Sequence, residues 1–467
     1  MLELLDKQNK LTSRQLMLAG VALWAVCLEF LDYFLIGFIL TFVSVPWKLT
    51  FGESAFILLS SGVGAILGAM FFGRMADRIG RRKVFLTTIA VFTLATLALV
   101  FTPEGTPEQH LFPWLYLVIF RVVIGFGAGG LYVVDLPLVQ EYMPVSQRGR
   151  VTGIVTSAVP LGFLLGSLLV WLVSGAIGWR GILVVAAIMG ATVFLMRLFI
   201  PESPRYLIRN GELEKARQSI AWALHLPVED VPATEEAHLA EPEHKAKLSD
   251  LWRYQRSFWT SILANIGMQT GYYGLTLWTP TLLVLLMGID QSRSGFFMVF
   301  VTLGALTGRF GMSFLSEIIG RKKTGMLTGF GAAAMVVVAA LVGLNPGAGF
   351  AFFVTMIITY FFGEGGFAIV GPYSGEVWPS KLRTTGMGFA YGIGGIGKII
   401  GPLGLGLILG AENLLTPKAT QDGLLLGFGY FAVFYLLVAI MIGFIGFETR
   451  RKSIEVLDHE IELQVKA

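Results

Sequence analysis

Twelve stretches of about 20 or more mostly apolar residues run through the chain, and they limit its possible folds more than any other feature. Backbone N–H and C=O groups find no water in a bilayer, so a stretch of this length must form a helix or part of a closed barrel. The stretches do not alternate between polar and apolar residues, and they are longer than barrel strands. The sequence therefore predicts an all-α integral membrane protein. Its twelve transmembrane helices are predicted at residues 16–42, 54–75, 84–102, 113–140, 152–174, 180–200, 259–286, 295–318, 324–344, 350–375, 388–410 and 424–447.

The composition agrees with this fold and excludes most other classes of protein. Only 14% of the residues are charged, against about 25% in soluble proteins, and the 57 glycines allow membrane helices to approach closely. The sequence contains no ATP-binding GxxxxGK[ST] pattern, no metal-ligand spacing of histidines and a single cysteine, Cys27. We therefore predict neither an enzyme nor an ATP-driven pump, and we expect no cofactor, no metal and no nucleic-acid partner.

Basic residues mark one side of the membrane. Alternate connections are rich in Lys and Arg, at 74–83, 148–150, 321–323 and 381–383, whereas the other connections hold few. Because Lys and Arg accumulate in cytoplasmic loops, these connections and both chain termini are predicted to be cytoplasmic.

One charged segment divides the chain into two similar halves. We predict a six-helix bundle at 1–201, a cytoplasmic linker with short amphipathic helices at 202–258, and a second bundle with a cytoplasmic tail at 259–467. The halves repeat each other: GRMADRIGRRK at 73–83 recurs as SFLSEIIGRKK at 313–323, EYMPVSQR at 141–148 as EVWPSKLR at 376–383, and PES at 201–203 as FET at 447–449. Duplicated halves around a central site are typical of secondary transporters.

Together these motifs resemble the major facilitator superfamily, whose best-known signature is similar to GRMADRIGRRK. The chain is more narrowly similar to the branch that contains sugar porters, organic-ion transporters, synaptic-vesicle-glycoprotein-2-like proteins and bacterial niacin transporters. That similarity lies in RVVIGFGAGG at 121–130, PESPRYL at 201–207, YYGLTLWTP at 272–280 and EVWPSKLRTTGMGF at 376–389. The resemblance covers essentially the whole chain and implies two pseudo-symmetric six-helix bundles. The short connection after the first helix favours a bacterial relative in the inner membrane over the animal organic-ion transporters, which have a large extracellular domain there.

Two acidic residues lie within the first predicted helix and an arginine within the fourth. An ionisable residue inside the bilayer costs several kcal/mol, so each is a candidate functional residue. Glu29 and Asp32 share one face of their helix, and Asp32 and Arg121 lie at similar depth along theirs. The resemblance to sugar porters implies that Asp32 and Arg121 form the proton-coupling pair. Glu29 is then a second candidate for the proton, or an acid of the substrate cavity. A static buried salt bridge between Asp32 and Arg121 is the alternative.

Lys398 is predicted near the middle of the eleventh helix, within the glycine-rich stretch GIGGIGKIIGPLG at 392–404. Organic-ion transporters carry a cationic residue in this helix when their substrates are anions, so the resemblance implies that Lys398 binds a substrate carboxylate. Two pairings remain open. Lys398 neutralises Glu364 of the tenth helix, or Glu364 pairs with Arg309 of the eighth helix and leaves Lys398 for the substrate.

The seventh helix offers polar and aromatic side chains beside glycines. Tyr272, Tyr273 and Trp278 combine aromatic rings with hydrogen-bonding groups, which suits a flat or hydroxylated ligand. Gln269 can donate or accept a hydrogen bond in the same helix. All four residues are candidates for substrate binding, and packing of the rings at a helix interface is the alternative.

The resemblance also implies a latch of charged residues on the cytoplasmic side. In the superfamily the signature aspartate caps a neighbouring helix, its arginines bridge to the acids that end the fourth and sixth helices, and these pairs hold the outward-open state. Asp135 is assigned to the same gate, and a solvated run of charges is the alternative. The predicted members are Asp77, Arg74, Arg81, Glu141, Arg148 and Glu202 in the first half and Glu317, Arg321, Glu376, Arg383 and Glu448 in the second.

These observations predict a proton-coupled secondary transporter that imports a small organic anion, such as an aromatic carboxylate of the nicotinate type, by alternating access. Its expected partners are a small-molecule substrate, protons and the lipid bilayer, and we expect a monomer. One alternative is a proton symporter for a sugar or polyol. The other is a transport-inactive ligand-binding membrane protein, against which the presence of both Asp32 and Arg121 argues, since a binder needs no coupling pair.

Overall fold

A computed structural model describes residues 1–8, 10–232, 248–450, 452 and 454–466, apart from the side chains of residues 77, 132, 454, 455 and 464–466. The described part of the chain is almost entirely helical, with no strand beyond one isolated bridge between Thr50 and Leu414. The predicted all-α architecture is therefore confirmed.

Six long helices form the first half. The first two begin at threonines whose hydroxyl groups accept from the backbone three residues later, at Gln15 and Glu53, and the side chains of these two residues reach back to complete capping boxes. The six helices are α1 at Ser13–Val43, α2 at Phe51–Ile79, α3 at Arg81–Leu99, α4 at Leu111–Tyr142, α5 in two segments at Val145–Thr156 and 158–177, and α6 at 179–198.

The helical path from α5 to α6 breaks at Gly178. Its φ of 63° lies in the left-handed region, which glycine adopts without the steric cost that a side chain brings. This glycine separates the two spans that the sequence predicts on either side of it.

Six long helices also form the second half. They are α7 at Gln255–Met287, α8 at Gln291–Ile319, α9 at Arg321–Gly343, α10 at Gly349–Glu376, α11 in two segments at Arg383–Gly394 and Gly397–Ile408, and α12 at Pro417–Ile440. A π-helical turn at Met441–Ile445 extends α12. The break in α11 falls just before Lys398.

Ten helical stretches among the described residues are long and apolar enough to span a bilayer. One of them, Val145–Leu198, holds both α5 and α6. The stretch that is missing from the ten is α7, which carries Asn265, Gln269 and several threonines and tyrosines but buries nearly all of its length inside the protein. A helix enclosed by other helices needs less hydrophobicity than one that faces lipid. The predicted count of twelve transmembrane helices is thus accounted for.

Short helices lie at the end of the molecule where the chain begins and ends, which we call the basic end. The predicted linker forms helices at Pro204–Arg209, Leu213–Leu224 and Leu248–Leu251, while residues 233–247 lie outside the described part of the chain. Thr12, just before α1, donates a hydrogen bond to the carbonyl oxygen of Ala223, and Tyr142 at the end of α4 lies 2.5 Å from the hydroxyl oxygen of Ser219. These contacts attach the linker helix to the first bundle. The division of the chain at 201 and 258 stays a prediction.

The two bundles meet through α1 with α7, α2 with α11, and α5 with α8. At the end away from the chain termini, the opposite end, backbones come into direct contact. Phe51 N–H donates to Asn413 O and Gly52 N–H to Ala411 O, both at 2.9 Å. A side chain on Gly37 of α1 would collide with the carbonyl oxygen of Leu277. The opposite end of the molecule is therefore closed.

The basic end is more open between the bundles. Gly149 and Gly153 of α5 and Gly388 and Gly392 of α11 have no neighbouring atom within 4 Å of the position that a Cβ would take. Between the two ends, Arg309 of α8 donates a hydrogen bond of 3.5 Å to the carbonyl oxygen of Thr156 on α5. The bundles thus meet closely at the opposite end and less closely at the basic end, with the ionisable residues of the first, eighth, tenth and eleventh helices between the two ends.

Candidate functional site

Asp32 and Arg121 form a buried ion pair inside the first bundle. Nη1 of Arg121 lies 2.8 Å from Oδ2 of Asp32, and Nη2 donates to the backbone oxygen of Asp32 at 3.2 Å. Thr96 on α3 donates to Oδ1 at 3.5 Å. Both charged side chains are at most 1% exposed. The structure brings the predicted pair together at the depth that the sequence indicates, and adds Thr96, which the sequence analysis missed.

Lys398 lies between the bundles among three aromatic rings. Its Nζ atom is 6.0 Å from the ring centre of Phe30, 5.4 Å from that of Tyr33 and 4.9 Å from that of Tyr273. An ammonium group at these distances is attracted by the negative face of an aromatic ring. Two of the rings come from α1 and one from α7, so the rings of both bundles enclose a charge carried by α11. We call Lys398 and these three residues the Lys398 cluster.

Glu29 lies next to the Lys398 cluster on α1. It is 8% exposed, and its Oε2 atom has no hydrogen-bond partner among the described residues. Its charge interacts with that of Lys398 and with that of Asp135 on α4. The second candidate for the proton, Glu29, therefore interacts electrostatically with the substrate candidate Lys398.

Of its two possible partners, Glu364 pairs with Arg309 and not with Lys398. Nη1 of Arg309 on α8 makes an ion pair with Oε1 of Glu364 on α10, whose side chain is fully buried. Tyr272 lies beside Glu364 and interacts with it. Both Arg309 and Glu364 belong to the second bundle, so their charges cancel locally.

An aromatic cluster continues from Lys398 through the interior of the protein. The ring of Tyr273 lies 5.5 Å from that of Tyr33 and 5.8 Å from that of Phe367, and the ring of Tyr272 lies 5.1 Å from that of Phe367. These rings stand mostly edge to face, the geometry that their quadrupoles favour. Tyr272 and Tyr273 thus both belong to this buried aromatic cluster.

Gln269 and Trp278 are engaged with α11. Gln269 donates to the backbone oxygen of Tyr391 at 3.3 Å. Trp278 is fully buried, donates from its indole nitrogen to the oxygen of Pro402 at 3.0 Å, and packs on Phe51 toward the opposite end. The predicted contact of Trp278 with substrate is therefore corrected: its hydrogen-bonding group is used to hold α7 to α11, outside the Lys398 cluster.

A second buried charge lies toward the basic end. Arg197 of α6 is fully buried, and none of its three guanidinium nitrogens has a hydrogen-bond partner among the described residues. Its charge interacts with Asp135, and its guanidinium lies 4.9 Å from the ring centre of Phe85. Asp135 is therefore placed beside a cation that the sequence analysis did not single out, although an arginine inside an apolar stretch is a signal that could have identified it.

The predicted gating residues lie at the basic end, but two of them act differently from the expectation. Glu202 was expected to bridge to arginine side chains; instead its carboxylate accepts from the backbone N–H groups of Arg81 and Arg82 at 2.9–3.1 Å. Glu448 likewise accepts from the N–H groups of Arg321 and Lys322 at 2.9 and 3.1 Å. The first N–H groups of a helix lack partners and carry the positive end of its dipole, so a carboxylate is stabilised there. Glu202 and Glu448 thus cap α3 and α9.

Arginine side chains make the other half of each network. Arg81 forms an ion pair with Glu141, and Arg321 lies 3.5 Å from Glu376 and 2.8 Å from Glu317. Each pair joins two residues of one bundle. All of these pairs are formed in the present state, in which the opposite end is closed. These pairs therefore do not by themselves require the bundles to meet at the basic end.

The remaining gating candidates are less involved. Arg148 lies 3.6 Å from Asp6 and donates to the oxygen of Met143, and Arg74 is exposed. Nε and Nη2 of Arg383 are buried without a hydrogen-bond partner among the described residues. The side chain of Asp77 lies outside the described part of the structure. Within the described residues, no cluster of acidic, histidine or cysteine side chains has the arrangement of a metal site.

Known proteins match this chain over most of its length. The family model described as Major Facilitator Superfamily matches residues 22–402. The niacin transporter NiaP of Acinetobacter baylyi is 31% identical over 443 residues, which cover 93% of this chain and 95% of that protein. The putative niacin/nicotinamide transporter NiaP of Bacillus subtilis is 28% identical over 97% of this chain and 100% of that protein. A partially occluded inward-open structure of the xylose transporter XylE from E. coli has the same fold, with a TM-score of 0.74 at 17% identity over 95% of this chain and 100% of that chain.

Proposed function

The chain belongs to the Major Facilitator Superfamily, and we propose that it imports a small organic anion together with protons, by alternating access. The similar proteins are named transporters, so the chain is a multi-pass membrane transporter and the prediction that it is not an enzyme is confirmed. The substrate class, the proton coupling and the direction of transport are our proposals.

The observation that carries the anionic substrate is the position of Lys398. Its charge lies between the two bundles, it is partly exposed, and three aromatic rings surround it. Glu364, the acid that could have neutralised it within the second bundle, is paired with Arg309. A cation in a site of low dielectric attracts a carboxylate strongly, and the surrounding rings suit a flat apolar body on the same ligand. An aromatic carboxylate meets both requirements.

The relatives support this substrate class. Two bacterial proteins that match nearly the whole chain are named for niacin, or for niacin and nicotinamide. Niacin is a pyridine ring that carries a carboxylate. A ligand of that size places its carboxylate on Lys398 while its ring contacts the rings of Tyr273 and Tyr33.

Proton coupling is proposed for the acidic residues of α1. Asp32 and Glu29 lie on neighbouring positions of one helix; Asp32 is paired with Arg121 and Glu29 faces Lys398. Burial favours the neutral form of a carboxyl group and a nearby cation favours the charged form. A rearrangement of either cation would therefore bind or release a proton.

The proposed orientation places the basic end in the cytoplasm of a bacterial cell, with both termini inside. This follows from the excess of Lys and Arg in the connections at that end. With the opposite end closed, the structure then corresponds to an inward-facing state. We propose that the protein works as a monomer, because each chain of this superfamily contains both bundles around its own site.

The test is ligand binding with matched compounds. Thermal stabilisation of the purified protein is measured with nicotinate, with its neutral isostere nicotinamide and with xylose. We expect nicotinate to stabilise the protein at lower concentration than nicotinamide, and xylose to have no effect. Preferential stabilisation by xylose would favour the sugar-porter alternative and refute the anionic substrate. Binding of nicotinate without uptake into proteoliposomes would favour a transport-inactive binding protein.

A further inference from the structure

Glu29 and Lys398 face each other across the boundary between the two bundles. Glu29 lies near the middle of α1, and Lys398 follows the break in α11. Their charges interact, and Phe30 and Tyr33, which follow Glu29 on α1, contribute rings to the Lys398 cluster. In the described structure Oε2 of Glu29 has no hydrogen-bond partner. The charge of the Glu29 carboxylate is thus felt by Lys398, and no hydrogen bond within the described part of the chain fixes its Oε2 atom.

The other buried acids of the centre have cations within their own bundle. Asp32 is paired with Arg121, Glu364 with Arg309, and Asp135 interacts with Arg197. Glu29 is therefore the acid that balances Lys398 when no substrate is bound. A substrate carboxylate that approaches Lys398 competes with the charge of Glu29.

Two negative charges beside one cation in a site of low dielectric repel each other. The repulsion is removed when one of the two carboxylates takes up a proton. We propose that substrate and proton exchange at Lys398: the anion replaces ionised Glu29 as the counter-charge of Lys398, and an oxygen of Glu29 takes up one hydrogen ion from the solution on the side from which the anion enters. Lys398 keeps its own proton throughout. The exchange presupposes the anion transport proposed above and assigns its coupling proton to Glu29.

The net charge of the site is unchanged by this exchange. One negative charge arrives with the substrate and one is neutralised on Glu29, so a monovalent anion crosses with one proton and no net charge moves. Uptake is then driven by a pH gradient and is insensitive to the membrane potential. Without a proton acceptor at position 29, the same substrate would carry one negative charge across.

Other ionisable groups face Glu29 from the helices around it. Asp32 and Tyr33 share its helix, and the protons of these groups have to be distinguished from that of Glu29. The charges of Lys398 on α11 and Asp135 on α4 act on Glu29 directly. Beyond these, Tyr273 on α7 lies against Lys398, Arg197 on α6 interacts with Asp135, and the pairs Asp32–Arg121 and Arg309–Glu364 hold the other buried charges of the interior.

The binding experiment counts protons. Calorimetric titration of the purified protein with nicotinate, in buffers of different ionisation enthalpy, gives the number of protons taken up per anion bound. In the pH range in which Glu29 is ionised in the empty site, we expect about one proton to be taken up per anion bound. In that pH range the dissociation constant of nicotinate should rise about tenfold per pH unit. In Glu29→Gln the proton uptake should vanish and the affinity should become independent of pH. Asp32→Asn should keep both the proton uptake and the dependence of the affinity on pH.

The transport experiment uses proteoliposomes in which a potassium gradient with valinomycin sets the membrane potential. The unaltered protein should accumulate nicotinate in response to a pH gradient and not in response to the potential. Glu29→Gln should lose the response to pH, and nicotinate uptake should slow when the inside is made negative. Glu29→Asp keeps a carboxyl group at this position and should keep the proton uptake, which separates loss of the proton from damage to the fold.

The outcomes separate the two proposals. If neither nicotinate nor another small carboxylate binds the unaltered protein, the proposed function is wrong. If nicotinate binds and is transported with no proton taken up, or if Glu29→Gln takes up as many protons as the unaltered protein, the exchange at Lys398 is wrong while the anion function stands.

Discussion

Replacing Lys398 by alanine removes the positive charge that Phe30, Tyr33 and Tyr273 surround between the two bundles. If a substrate carboxylate binds there, the substitution leaves that carboxylate without its cation in a partly dehydrated site. Removing one partner of such a pair costs about 2–5 kcal/mol. At about 1.4 kcal/mol for each factor of ten, the lower bound of this range weakens nicotinate binding about thirty-fold.

The assay is the dissociation constant of nicotinate for the purified variant, measured by calorimetry. Lys398→Arg keeps the charge in a larger, planar group and should retain part of the affinity. Lys418→Ala removes an exposed lysine in the first turn of α12, at the opposite end of the molecule. This variant should leave the affinity for nicotinate unchanged. The affinity for the neutral nicotinamide should fall much less than that for nicotinate in Lys398→Ala.

Loss of Lys398 also leaves Glu29 without its cation, so the affinity change has to be separated from an effect on the fold. Glu29→Gln combined with Lys398→Ala removes both charges and should restore thermal stability if Lys398→Ala lowers it. Glu364→Gln should give no such rescue, because Glu364 is paired with Arg309. A stable Lys398→Ala protein that binds nicotinate as tightly as the unaltered protein would refute the role of Lys398 as the anion-binding residue.

Three further predictions follow from the arrangement of the bundles. Asp32→Asn leaves the buried Arg121 without its carboxylate partner and should lower the thermal stability, while accumulation of nicotinate keeps its dependence on the pH gradient because the coupling proton lies on Glu29; loss of that dependence in a stable Asp32→Asn protein would assign the coupling proton to Asp32 instead. Arg81→Ala breaks the ion pair with Glu141, which lies within one bundle and is formed while the basic end is open, so it should lower the thermal stability and leave unchanged the rate at which Gly392→Cys, in a Cys27→Ser background, reacts with a thiol reagent; a faster reaction would show that the pair helps to close the basic end. Gly37→Leu would place a side chain against the carbonyl oxygen of Leu277 and should hold the opposite end open, slowing that cysteine reaction, whereas Gly20→Leu on the same helix has free space around it and should not.

The twelve helices could be predicted because hydropathy measures which residues can lie in lipid. The same property could not locate helix ends beyond the bilayer. Helix α5 begins at Val145, seven residues before the predicted start at 152, because Ser146, Gln147 and Arg148 are polar and yet continue the helix. The glycines of α11 indicate that this helix can bend, but the position of its break could not be predicted, since seven glycines lie between Gly392 and Gly406.

The sequence could predict how far along its helix each candidate residue lies, but not which way the helix is turned about its axis. Counting residues along α1 and α4 placed Asp32 level with Arg121, and the structure pairs them. The same counting left Glu364 with two possible partners, and only the rotation of α10 about its axis selects Arg309. Trp278 was assigned to the substrate for the same reason, because the sequence does not reveal that its indole points toward Pro402. The aromatic residues of α1 were missed, although the dense polar and aromatic run EFLDYF at 29–34 inside an apolar helix was a usable signal.

The interacting charges of this protein divide into those whose separation alternating access preserves and those whose separation it must change. Asp32 with Arg121, Arg309 with Glu364 and Arg81 with Glu141 each join two residues of one bundle. Rocking of one bundle against the other as a rigid body leaves such pairs intact. Glu29 and Lys398 lie on different bundles, so the same motion alters the distance between their charges. A substrate bound at Lys398 and a proton bound at Glu29 therefore both act on the interface that has to move. This placement gives the proposed coupling a physical basis, because each ligand changes the free energy of the motion that carries the other.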